Sequence, residues 1–181
     1  SMSLSNFKYA SEAFKNPFLI SDAAITFNPE TVSLTSFKAQ TGKSDLNVTG
    51  TIENLLGYMF SNKTLQGHFN LNSDTFAVND FMSNEAPSSI ENKTEGTKKP
   101  SVKKESIKIP AFLDCTINAQ ANTVFYDNLQ LKNAKGTLII KDEQVNLQNF
   151  TTNIFDGQLA VSGLVSTKTD TPTFNMDLGI N

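Results

Sequence analysis

The segment QVNLQNF at 144–150 repeats TVSLTSF at 31–37, and LAVSGLV at 159–165 repeats LNVTGTI at 46–52. The spacing is constant, since 145 − 32 and 163 − 50 both give 113 residues. Val32, Leu34, Phe37, Leu46, Val48 and Gly50 thus recur as Val145, Leu147, Phe150, Leu159, Val161 and Gly163 without a gap. Further on, HFNLN at 68–72 matches TFNMD at 173–177 once eight residues are deleted. An internal repeat constrains a fold more than composition does, because one supersecondary unit must bury its apolar side in the same way twice.

Each unit alternates with a period of two. In LNVTGTI, Leu46, Val48, Gly50 and Ile52 point one way, and Asn47, Thr49 and Thr51 the other, as in a half-buried antiparallel strand. Both units break this parity at the same place, between Leu34 and Phe37 and between Leu147 and Phe150. A β-bulge there returns the phenylalanine to the apolar face. Hairpin turns are expected at Lys141–Gln144, at Asn28-Pro29-Glu30 and at Asp156-Gly157. Two short segments have helical character: 52–60, with Leu55, Leu56, Met59 and Phe60 at helical spacing, and more weakly 73–82. The fold class is therefore mainly β: a curved antiparallel sheet, as a groove or open sandwich, built from two related units with one or two short helices.

The units fall at 1–82 and 107–181. Between them, residues 83–106 are rich in Ser, Glu, Lys and Pro and read as a disordered linker or surface insertion. Its lysines read as a solvated run mixed with glutamate.

Composition excludes several function classes. The 15 basic residues are all lysine and the net charge is −3, so neither a basic field nor arginine's bidentate fork is available to read nucleic acid. His68 is the one histidine and Cys115 the one cysteine, too few and too far apart for a zinc site or a Cys/His dyad. His68 is in phase with Gln66, Asn70 and Asn72 and should face solvent; Cys115 reads as a small strand residue. No glycine-rich phosphate loop and no run of 18 apolar residues occurs. We expect no catalytic residue, no metal, no cofactor, no nucleic acid partner and no membrane span within this chain.

What remains is the alternating face. The candidate functional residues in the first unit are Phe27, Val32, Leu34, Phe37, Leu46, Val48 and Ile52. In the second they are Leu138, Ile140, Val145, Leu147, Phe150, Leu159, Val161 and Val165. These side chains either form an ordinary β core or line a trough open to lipid.

LQLKNAKGTLIIKDEQVNLQNFTTNIFDGQLAVSGLV resembles the C-terminal repeat of the AsmA family. The resemblance is carried by Leu131, Gly136, Leu138, Ile140, Val145 and Leu147, followed by Phe155, Gly157, Leu159, Val161 and Gly163. AITFNPETVSLTSFKAQTGKSDLNVTGTIENLL, with LQGHFNLNSDTFAVNDFM after it, is similar to the preceding unit in that family. The resemblance implies an elongated antiparallel sheet bent into a groove, in a periplasmic protein tethered by an inner-membrane helix. It also implies a non-catalytic role in phospholipid transport and outer-membrane assembly, similar to that of bridge-like lipid-transfer proteins. The implied partners are a phospholipid or other acyl lipid and neighbouring repeats of the same protein. The alternative is a structural or protein-interaction module, its apolar face closed by its own core or by neighbouring repeats and its edges open to strand addition.

Overall fold

The computed structural model describes residues 1–10, 15–28, 31–81, 109–155, 157–169 and 171–180. The linker at 83–106, Pro29 and Glu30 of the first turn, and Asp156 of the last one lie outside the described residues. The described chain forms one open sheet of ten strands whose spatial order equals the chain order. The strands are β1 Met2–Tyr9, β2 Phe18–Phe27, β3 Val32–Thr41, β4 Ser44–Ile52, β5 Leu65–Ala77, β6 Leu113–Tyr126, β7 Leu129–Lys141, β8 Gln144–Ile154, β9 Gly157–Ser166 and β10 Thr173–Ile180. A helix, α1 at Leu55–Ser61, sits between β4 and β5, and a 3-10 turn at Val78–Phe81 follows β5.

All neighbouring strands pair antiparallel except β5 and β6, which are parallel. The sheet is thus mixed, where the alternation implied a wholly antiparallel one. The parallel step has a geometric reason. Five strands joined by hairpins begin and end in the same sense. A second five-strand unit repeats the first without inversion only if its first strand runs parallel to the last strand before it. Parallel neighbours need a long crossover, and here it runs from the 3-10 turn, beyond Ala77, back to Leu113, which lies opposite Leu65.

Pairing repeats unit for unit. Leu34 faces Gly50 and Phe37 faces Val48; Leu147 faces Gly163 and Phe150 faces Val161. The register shifts between Leu34 and Phe37, and again between Leu147 and Phe150. The bulges therefore stand where the broken parity requires them, and Asn149 occupies its bulge in the left-handed region at φ +52°. The last strand corrects the sequence alignment. Gly50 faces Phe69 and Gly163 faces Met176, while Val48 faces Leu71 and Val161 faces Leu178. Since 176 − 69 and 178 − 71 both give 107, the second unit lacks six residues, not eight. The shorter β9–β10 connection carries no helix among its described residues, whereas the β4–β5 connection holds α1.

Turn chemistry accounts for the hairpins. Asp142 and Glu143 both take positive φ, 52° and 57°, between paired Lys141 and Gln144. Positive φ at both central residues makes a two-residue turn of type I′, whose twist matches the strands. Gly42 (φ +55°) supplies the left-handed residue between Thr41 and Ser44. The 3-10 turn locks this second hairpin through Asp80, which is buried. Its Oδ2 accepts hydrogen bonds from Lys43 N–H (2.8 Å), Ser44 N–H (3.0 Å) and Ser44 Oγ (2.8 Å). Asp45 acts similarly where β4 and β5 diverge: its Oδ1 accepts from the N–H groups of Asp74 (3.0 Å) and Thr75 (2.7 Å). At the opposite end, the Asn54 side chain bridges Thr64 O and Gln66 N–H (2.6 and 2.8 Å) and closes the base of α1.

No second layer covers the sheet among the described residues. The principal packing partners of each strand are its hydrogen-bonded neighbours, with the 3-10 turn against β6 and α1 against β5. The buried hydrophobic positions are mostly small or medium, such as Ala39, Ala121, Ala134, Val124 and Val161. The largest side chains that are fully buried are Thr41, Thr152 and Ser44.

Candidate functional site

Residues directly opposite each other on paired strands project from the same face of a sheet. The register therefore sorts the side chains. One row runs Phe27, Val32, Ile52, Gly67, Cys115, Ile140, Val145, Val165 and Phe174. The next runs Ile25, Leu34, Gly50, Phe69, Ile117, Leu138, Leu147, Gly163 and Met176. Phe37 with Val48, Leu46 with Ala39, Phe150 with Val161, and Leu159 with Thr152 complete the set. All fifteen candidate residues share this face. Val32, Leu46 and Val161 are buried, Phe27 is exposed, and the other eleven are half-buried.

Sequence reading misses part of the face. Phe69, Leu71 and Ile117 lie in its middle, and Met2, Leu4, Phe174, Met176 and Leu178 at its margins. The signal is present in the alternation of MSLSNFKY and of LDCTINAQ. Glycines on the face make room for large neighbours. A Cβ on Gly50 would come within 2.6 Å of Phe69 Cδ1, and one on Gly163 within 2.9 Å of Met176 Cγ. Each glycine is thus a slot into which the opposite side chain lies.

The reverse face is polar and carries the depressions. One, about 730 Å³, crosses β1 to β5 and is edged by Lys8, Leu19, Lys38, Gln40, Asp45 and Asp74. Two smaller ones lie beside Asn146, Ser162 and Asp177, and beside Gln120, Lys135 and Thr151. These three concavities are edged mainly by polar-face side chains, and Leu46 and Leu147 of the apolar rows also line two of them. His68 projects from the polar face, exposed, with Nε2 3.4 Å from Glu53 Oε1. Asp142 and Glu143 occupy a turn. Among the described residues no cluster of three or more His, Cys, Asp or Glu side chains is placed to hold a metal. Cys115 lies in an apolar row; burial, and secondarily the Asp114 charge, raises its thiol pKa. No helix among the described residues is long and apolar enough to cross a membrane.

The fold and this face define a class: a single-layer β-sheet of tandem five-strand units with one apolar side. Protein-family models, curated proteins and solved structures give no match to this chain.

Proposed function

We propose that the apolar face shields lipid acyl chains, and that the chain is a non-catalytic lipid-handling module. The observation that carries this reading is the apolar face itself, continuous over ten strands with no layer against it among the described residues. Ten strands about 4.8 Å apart span about 43 Å. One leaflet of bilayer hydrocarbon is about 15 Å deep, so two acyl chains fit end to end across the strands. A chain lying on an open face loses water on about half its perimeter. At about 0.4 kcal/mol per methylene, half the full burial value, fifteen methylenes contribute about 6 kcal/mol. No specific polar contact is needed for this. The AsmA-like pattern supplies the setting for the proposal: a periplasmic segment of a protein anchored in the inner membrane, working in phospholipid transport and outer-membrane assembly.

The test pairs lipid uptake with stability. The purified chain is extracted, its lipid is measured by native mass spectrometry, and it is then refilled with a fluorescent fatty-acyl lipid. Val48→Asp, at a half-buried position of the face, should abolish uptake while the protein stays folded. Asn47→Asp, on the polar face beside it, should leave uptake unchanged. Absence of lipid uptake by the wild type, or equal loss in both variants, overturns the reading. A face that takes no lipid would then be an interaction surface, a role favoured by the outer edges of β1 and β10, which nothing covers among the described residues.

A further inference from the structure

The two units meet through one principal contact, the parallel ladder of β5 and β6. The strands equivalent to those two stand at the ends of the sheet, and among the described residues nothing pairs with their outer edges. β10 is equivalent to β5, because Met176 faces Gly163 as Phe69 faces Gly50. β1 is equivalent to β6: Met2 faces Ile25, and Ile117 faces Leu138, the residue that repeats Ile25 after 113 positions. The outer edge of β10 is therefore the edge that β5 offers to β6. The outer edge of β1 is the one that β6 offers to β5.

We propose that copies of this chain associate head to tail, β1 of one copy adding in parallel to β10 of the next. This inference rests on the repeat geometry and is independent of the lipid reading. The internal ladder sets the register. Within the chain Phe69 faces Ile117, Asn70 faces Asn118 and Leu71 faces Ala119. Shifting the first member of each pair by 107 and the second by −115 places Met176 against Met2, Asp177 against Ser3 and Leu178 against Leu4. Met2 and Leu4 belong to the apolar face, as do Met176 and Leu178, so the rows continue across the junction. The edges carry few of the features that discourage strand addition. Neither strand contains proline, every residue of β1 is exposed, and the one charge is Lys8 in β1 and Asp177 in β10. Donor and acceptor edges differ, so the contact is heterologous and does not close on itself.

Two measurements on the full chain test this. In the first, Ser3→Cys protein and Asp177→Cys protein are mixed and treated with a short bismaleimide, the wild type with its buried Cys115 serving as blank. The mixture should give a cross-linked dimer at least fivefold above either variant alone. In the second, sedimentation equilibrium should show a mass rising above the 19.8 kDa monomer with concentration. Ser3→Asp, which sets two carboxylates opposite each other, should suppress the rise, and combining it with Asp177→Lys in one chain should restore it. A monomer at all concentrations overturns the proposal. So does Ser3→Cys protein that cross-links as well alone as in the mixture, which would signal β1-to-β1 pairing. Association untouched by Ser3→Asp overturns it too.

Discussion

Removing the Asp80 carboxylate should cost more than removing any other single polar group on the sheet rim. Asp80 follows β5 in the 3-10 turn, yet its oxygen holds the β3–β4 hairpin more than thirty residues away through three hydrogen bonds of 2.8 to 3.0 Å. Two of the donors are backbone N–H groups of a tight turn. Hydrogen bonds to a charged acceptor contribute about 1.5–3 kcal/mol each, and bonds sharing one acceptor do not add fully. Asp80→Ala leaves the Lys43 and Ser44 amides without this partner and should lower stability by about 3–4 kcal/mol. For a chain of this size that is a fall of about 10 °C in melting temperature. Asp80→Asn keeps one neutral oxygen in place and should lose about half as much. Circular dichroism melts measure the global loss. Amide exchange at Lys43 and Ser44 measures the local one, which should accelerate in Asp80→Ala at temperatures where β8 and β9 are still protected. A fall of less than about 2 °C, with those amides unchanged, would refute the view that this carboxylate organises the rim.

Glu143 sits at φ +57° in a two-residue turn, so Glu143→Gly should raise stability by about 0.5–1 kcal/mol, read as a higher urea midpoint. The segment between the 3-10 turn and Ile109 has to bridge the length of β5, about 40 Å for twelve strand steps. Replacing residues 83–106 with a Gly/Ser stretch of equal length should therefore preserve the cooperative melt. A replacement of about four residues reaches only about 28 Å with the residues flanking it and should abolish the melt. Cys115 should react with iodoacetamide at pH 8 roughly tenfold or more slowly in the native chain than in urea, because burial and Asp114 hold its thiol protonated above the ordinary range.

Strands with a strong local pattern are legible in the amino-acid sequence. The alternation in β3, β4, β8 and β9, the two bulges before Phe37 and Phe150, the Lys141–Gln144 turn and the helical spacing around Leu55 all report on neighbours a few residues apart. What escapes is non-local. The parallel pairing of β5 with β6 leaves no trace in either strand's own periodicity. β1 and β6 occupy equivalent places, yet Met2 corresponds to Ile117 and Leu4 to Ala119, so their kinship shows only in the pairing. Asp80 reads as an ordinary polar residue until the hairpin it holds is folded beside it. The site divides in the same way. Its fifteen candidate residues follow from parity, whereas where the depressions form depends on how bulged strands bend, which parity does not encode.

A sheet in which strands lean chiefly on their hydrogen-bonded neighbours resembles a row of coupled units more than a globule. Its unfolding free energy is close to a sum of nearest-neighbour terms, so opening can start at either margin and advance inward one strand at a time. β1 is exposed along its whole length, whereas buried positions gather in β3 to β7. Protection against hydrogen exchange should therefore climb as a gradient from the two margins towards the β5–β6 seam. That seam also joins residues 48 positions apart in sequence, the most distant contacts between neighbouring strands. Loop-closure entropy makes such pairing slow. Folding retraces unfolding under the same conditions, so the seam that opens last forms first: the slow closure of that link limits the rate, and the outer strands then add one by one towards the margins.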